Sequence, residues 1–182
     1  LLFANDTEVS LRSVAALINT LNDDGDQLAD LSALEDFVQR EEYSGSRTHD
    51  QAELEAVRAL RPRLRQVWTA SEAEAVQIVN KVMAEANALP QLVKHDRWDW
   101  HLHATSPEDP LETRMAVEAA MGLVDVIRSK ELERLRICEA EGCNAVVVDL
   151  SKNRSKRYCD TGNCANRAHV AAYRARKAGA SA

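Results

Sequence analysis

Leu11, Val14, Leu17, Ile18 and Leu21 recur at three- and four-residue intervals, which predicts an amphipathic helix over about 9–22, ended by Asn22-Asp23-Asp24-Gly25-Asp26. Ser32 followed by Glu35 has the form of a capping box and predicts a helix over 33–42 through Leu34, Phe37 and Val38. A third helical pattern starts near Asp50 and runs through Leu54, Val57, Leu60, Leu64 and Trp68. Pro62 should kink or divide it, since proline lacks a backbone donor and clashes with the preceding turn. Ser71 with Glu74 opens a fourth over about 72–86, carrying Val76, Val79, Val82 and Met83. The pattern then changes to two β-favouring stretches, Gln91–Lys94 and Trp98–Ala104, joined by His95-Asp96-Arg97 as a hairpin. Asp109 as N-cap, Pro110 at the first helical position and Glu112 as capping partner introduce a helix over about 110–129. Residues 1–130 are therefore expected to be a mainly helical domain around one β-ribbon.

Beyond residue 131 the grammar is different. Residues 131–137 lead into a module in which Ala145–Leu150 is a β-branched run, Ser151–Ser155 a turn, and Lys156–Tyr158 the expected returning strand. Ala165, Ala168, Ala171, Ala172 and Ala175 then favour a helix that Gly179 stops. All four cysteines fall here, as Cys138-x4-Cys143 and Cys159-x4-Cys164. Two close thiol pairs are what a closed tetrahedral zinc site requires, and one structural Zn2+ per chain is expected. Disulfides would need an oxidising compartment. Knuckle, hairpin and a helix that begins on the last ligand make a treble-clef-like order. So short a module cannot be held by its own core. The fold class is α+β.

Composition narrows the function. Of 182 residues, 45% are hydrophobic and 29% charged, which describes a globular chain rather than a disordered one. No apolar run approaches a membrane span and no secretory signal is visible, so no membrane partner and a cytoplasmic location are expected. The net charge of −6 hides an asymmetry: residues 1–129 hold 12 basic against 23 acidic side chains, whereas residues 151–182 hold 8 against 1. A basic end on an acidic body suits a polyanionic partner, although a solvated basic tail would look the same.

Arg134-Leu135-Arg136-Ile137-Cys138, the run Asp149-Leu150-Ser151-Lys152-Asn153-Arg154-Ser155-Lys156-Arg157-Tyr158-Cys159, and Cys164-Ala165-Asn166-Arg167 with its Ala/Arg-rich helix resemble the CGNR zinc-finger family. Ala165 stands where that family's name motif has glycine. Members usually carry an N-terminal ABATE domain, and residues 1–130 resemble one, with Ile18-Asn19-Thr20-Leu21 at the place of a similar Asn-Thr motif. The resemblance implies a ligand-sensing domain over 1–130 and a DNA-binding zinc finger over 131–182, in a bacterial stress-response transcription regulator.

On that reading Lys152, Arg154, Lys156 and Arg157 on the hairpin, with Arg167, Arg174, Arg176 and Lys177 on the helix, are the candidate contacts to double-stranded DNA. Arg167 and Arg174, seven apart, share a helical face. These charges could equally be solubilising groups around a structural zinc site. Asn19, in an apolar helix, and Trp100 are candidate contacts to an unidentified small molecule, and Asn19 could instead cap neighbouring backbone. A homodimer is a further candidate assembly. His101 and His103 share one strand face and could hold a second metal with His95 or Asp99. The plainer alternative turns Trp98, Trp100 and Leu102 inward and the polar residues out. His169 is surplus to a four-cysteine site. No nucleophile elbow or Ser/His/Asp set is visible. Two rival readings remain: a metal-dependent enzyme in the N-terminal domain beside a structural zinc module, and a zinc-stabilised protein–protein adaptor.

Overall fold

Helix α1 (Asn5–Asn19) opens the chain in a computed structural model that describes residues 2–94 and 99–179. Its first turn carries Asp6 and Glu8, which favour the positive end of the helix dipole, and it buries Leu11, Val14, Leu17 and Ile18. The helix stops earlier than its apolar spacing suggests. Leu21 is 54% exposed and belongs to a two-residue strand, β1 (Leu21–Asn22), paired with β2 (Gly25–Asp26). Gly25 has φ +118°, a conformation other residues rarely adopt, and this lets the chain reverse within two residues.

Helix α2 (Leu31–Arg40) is capped by Asp30, not by the expected Ser32, because the Asp30 carboxylate accepts from Ala33 N at 2.9 Å and starts the helix one residue before Ser32. Glu35 is thereby released from capping and meets Arg47 and Gln39. Helix α3 (Gln51–Arg65) starts on Asp50 as expected and runs unbroken through Pro62. The carbonyl of Arg58, which proline cannot bond, accepts instead from the Arg61 guanidinium at 3.3 Å. The helix tightens to a 3-10 turn over Gln66–Thr69. The Ser71–Glu74 capping box forms in full and begins α4 (Glu72–Glu85).

Strands β3 (Gln91–Val93) and β4 (His101–His103) pair antiparallel, with Leu92 opposite Leu102. The expected turn, with His95 and Trp98, lies outside the described residues. Helix α5 (Leu111–Arg128) begins after Pro110, which is its N-cap rather than its first residue. Asp109 does not cap it; its carboxylate accepts from Ser106 N at 2.8 Å. This helix is the central strut, packing on α1, α3 and α4. At Gly122 it lies so close to α1 that an added Cβ would stand 2.9 Å from Ser10 Oγ.

The C-terminal strands depart from expectation. β5 (Leu135–Ile137) pairs with β6 (Val146–Val148), Leu135 opposite Val148, and Lys156–Tyr158 forms no strand. The ladder thus joins the approach to Cys138 with the run after Cys143 and puts the first cysteine pair at its turn. Leu135, Val146 and Val148 are buried in the same apolar cluster as α1, α3 and α5. Helix α6 (Cys164–Gly179) follows. The architecture is α+β: a helical body, three small antiparallel two-stranded sheets among the described residues, and a four-cysteine module at the end.

Candidate metal centre and nucleic-acid interface

The four sulfurs of Cys138, Cys143, Cys159 and Cys164 lie within 4.8 Å of one another. Cys143 and Cys159 are 3.8 Å apart and Cys159 and Cys164 3.6 Å. Four thiolates at about 2.3 Å from a tetrahedral zinc stand roughly 3.8 Å from each other, so the donor set and its spacing fit one structural zinc ion. The turn between β5 and β6 supplies the first pair and the approach to α6 the second. Cys159 N donates to Cys138 Sγ at 3.4 Å, and Arg167 Nη2 donates to Cys164 Sγ at 3.1 Å. Such donors offset the charge of a four-thiolate site. Cys143 and Cys159 differ in acidity. Burial pushes Cys143 up to about 12. Burial also opposes ionisation of Cys159, but hydrogen bonds from Thr161, Cys164 and the Gly162 backbone bring it down to about 7.

Between β6 and Cys159 the chain is organised by two residues that charge counting passes over. Asp149 is fully buried, and its carboxylate accepts from Ser151 N, Ser151 Oγ and Lys156 N. Burial would raise its pKa, but these bonds and Arg136 hold it below the usual carboxylate range. Arg134, 3% exposed, donates to the carbonyls of Asp149 and Ser151 and pairs with Glu131 at 2.7 Å. The Asp-x-Ser spacing of an Asx turn was the available sequence signal.

The eight basic candidates fall into different environments. Arg154 is paired with Glu131 and Glu133, Arg157 with Glu139, and Lys156 with Asp160. Arg167 is turned back onto the cluster. Lys152, Arg174, Arg176 and Lys177 are exposed. Beyond Cys164, α6 is exposed on all sides to Lys177 except for half-buried Ala168, and His169 is among its exposed residues.

Asn19 is buried, and its amide is spent on the zinc module: Nδ2 donates to Val146 O at 2.9 Å and Oδ1 accepts from Val146 N at 2.8 Å. Trp68 Nε1 donates to the neighbouring Val147 carbonyl at 3.0 Å. Both fasten the helical body to β6. Asn19 also borders a cavity of about 530 Å3 beside β6. A separate cavity of about 340 Å3 lies between α1, α5, residues 41–44 and β4, with Ser10, Ser13, Glu41, Tyr43, Glu118 and Asp125 in its wall. Burial, with Glu118 and Glu41 nearby, holds the Tyr43 phenol well above its ordinary pKa. Trp100 and Leu102 are not turned into the core as the plainer expectation has it, although Leu102 reaches the cavity edge. His101 and His103 are half-buried and border the cavity, while Trp100 is 66% and Leu102 45% exposed.

A cysteine knuckle welded to a helical body defines a zinc-finger protein with a large helical partner domain. Residues 134–177 match the model of the CGNR zinc finger, and residues 11–130 match the ABATE family, described as "Putative stress-induced transcription regulator". The latter match spans more than half of the chain, and the chain belongs to that family. Both descriptions are of a regulator and a zinc finger rather than an enzyme. A search of curated proteins finds no match. Among the described residues no helix is long and apolar enough to cross a membrane.

Proposed function

We propose that the chain is a ligand-responsive transcription regulator that binds double-stranded DNA through residues 131–182 and a small molecule through residues 1–130. The observation that carries the DNA reading is α6: a basic helix rooted at a zinc ligand and exposed around its circumference. The helix is suited to lie in a groove, while the Asp149-organised loop presents Lys152 to a neighbouring phosphate. Arg154, Lys156 and Arg157 already hold carboxylates, so a phosphate must compete for them. Ligand occupancy of the cavity would act by favouring one arrangement of α1 against β6 over another.

A salt titration on duplex DNA tests this. With about five phosphates neutralised, log K should fall with log[salt] at a slope of about −4 to −5. Lys152→Ala and Arg174→Ala should each flatten the slope by roughly one unit, and Arg154→Ala by less. Binding indifferent to salt and to all three substitutions would leave the zinc module as a structural clip.

A further inference from the structure

We propose that His101 and His103 form a second metal site, separate from the cysteine cluster, that takes one borderline divalent ion such as Ni2+, Cu2+ or Zn2+ at the wall of the N-terminal cavity. The two residues are neighbours on one face of β4, and their Nε2 atoms are 3.0 Å apart. Two nitrogens bound to a single ion at about 2.0–2.1 Å stand roughly 2.9–3.4 Å apart for ligand angles between a right angle and a tetrahedral one. The rings meet edge to face, with 72° between their planes, so they converge without stacking.

Hydrogen bonding fixes which nitrogen serves. His101 Nδ1 lies 2.7 Å from the backbone carbonyl of Asp99. A carbonyl only accepts, so Nδ1 carries the proton and Nε2 keeps its lone pair in the neutral ring. This is the arrangement that orients metal-binding histidines, with the remote ring N–H anchored to a carbonyl and the other nitrogen offered to the ion. In the metal-free pair His103 Nε2–H donates to His101 Nε2. On binding, both Nε2 atoms face the ion and His103, as a neutral Nε2 ligand, carries its ring proton on Nδ1. Imidazole pairs suit Zn2+, Cu2+ and Ni2+ better than Mg2+ or Ca2+.

The setting supports the same assignment. An alternating strand beside an apolar core would ordinarily bury Leu102 and expose its polar neighbours, yet here His101 and His103 are half-buried at the cavity while Leu102, at its edge, is 45% exposed. Asp6, Glu118 and Asp125 line the same cavity, and the protein supplies the two imidazoles as ligands. Two protein ligands leave open positions toward the cavity for water or an oxygen or nitrogen of a small molecule. The site needs neither DNA binding nor a known effector.

The test uses the full chain loaded with one zinc, titrated with Ni2+ by calorimetry and followed by elemental analysis. One further ion per chain, with the zinc retained, is expected. His101→Ala and His103→Ala should each weaken nickel binding at least about tenfold, and His169→Ala should leave it unchanged. In the wild-type chain the ring resonances of His101 and His103 should broaden before any others, a reading that does not depend on how the variants fold. Absence of a second ion, nickel that merely displaces zinc, or first broadening at other residues would overturn the proposal.

Discussion

Helices α5 and α6 are both long and alanine-rich, and they are held in place by opposite means. α5 buries Leu111, Met115, Ala119, Ala120, Leu123 and Val126 against three other helices, so tertiary packing fixes it. α6 buries Cys164 and leaves nearly everything from Ala165 to Lys177 in solvent. Its order derives from alanine propensity and from one metal bond at its first residue. A structural element with no packing of its own is cheap to present to a partner, and it is sensitive to the metal rather than to the core. Between the two extremes lies the β5–β6 hairpin, whose turn serves the zinc site while Leu135, Val146 and Val148 serve the helical core.

The strongest way to break this contrast is to remove the metal. Structural zinc supplies about 10–16 kcal/mol of folding free energy in small modules, far above any single packing contact. Chelation, or Cys164→Ser, should abolish amide protection across α6 and residues 149–163. Protection in α5 should persist, and β6 should keep much of its own because its valines remain in the helical core. Hydrogen exchange with and without chelator reads this directly. Simultaneous loss of protection in α5 would show that metal and core form one cooperative unit.

What the sequence disclosed follows the range of the interactions involved. Ser71 and Glu74 sit within one turn of each other, and their capping box was legible. Ser32 and Glu35 carry the same signal, yet Asp30 captures the N-cap first, and two competing caps two residues apart cannot be ranked by pattern alone. The cysteine spacing identified the metal because four thiols constrain each other locally. The partner of β6 was misassigned because Leu135–Ile137 is short, with Arg136 at its centre, and it precedes the knuckle that turns it back. Strand alternation placed His101 and His103 on one face but could not say that this face would be the more buried one at a cavity. The bonds of Asn19 to Val146 span 127 positions, and no local pattern announces a side-chain amide paired with a distant strand edge.

That amide is the next point at which to separate the two regions. In Asn19→Ala the N–H and C=O of Val146 both lose their partner in a buried position. Each unsatisfied buried group costs about 1–3 kcal/mol, less where water can enter. A loss of about 2–3 kcal/mol in denaturant unfolding is expected. Asn19→Asp should not rescue it, because a carboxylate can accept from Val146 N but faces the Val146 carbonyl with no donor. A variant as stable as the wild type would mean that the hairpin is held by its valines alone.

The smallest effect distinguishes the helices most cleanly. Glycine costs about 1 kcal/mol relative to alanine in a helix interior. Ala172 is exposed on α6, so Ala172→Gly should raise amide exchange within α6 by about the fivefold that 1 kcal/mol implies, leaving the global unfolding midpoint unchanged. Ala120 on α5 is completely buried, and Ala120→Gly loses the same propensity and a packed methyl worth roughly 0.8 kcal/mol, for a total of about 2 kcal/mol in global stability. The two substitutions are chemically identical, so any difference between them reports what surrounds each helix. Equal global losses would mean that α6 docks on the helical body in solution. The proposed DNA-facing role would then pass from the helix to the Lys152 loop.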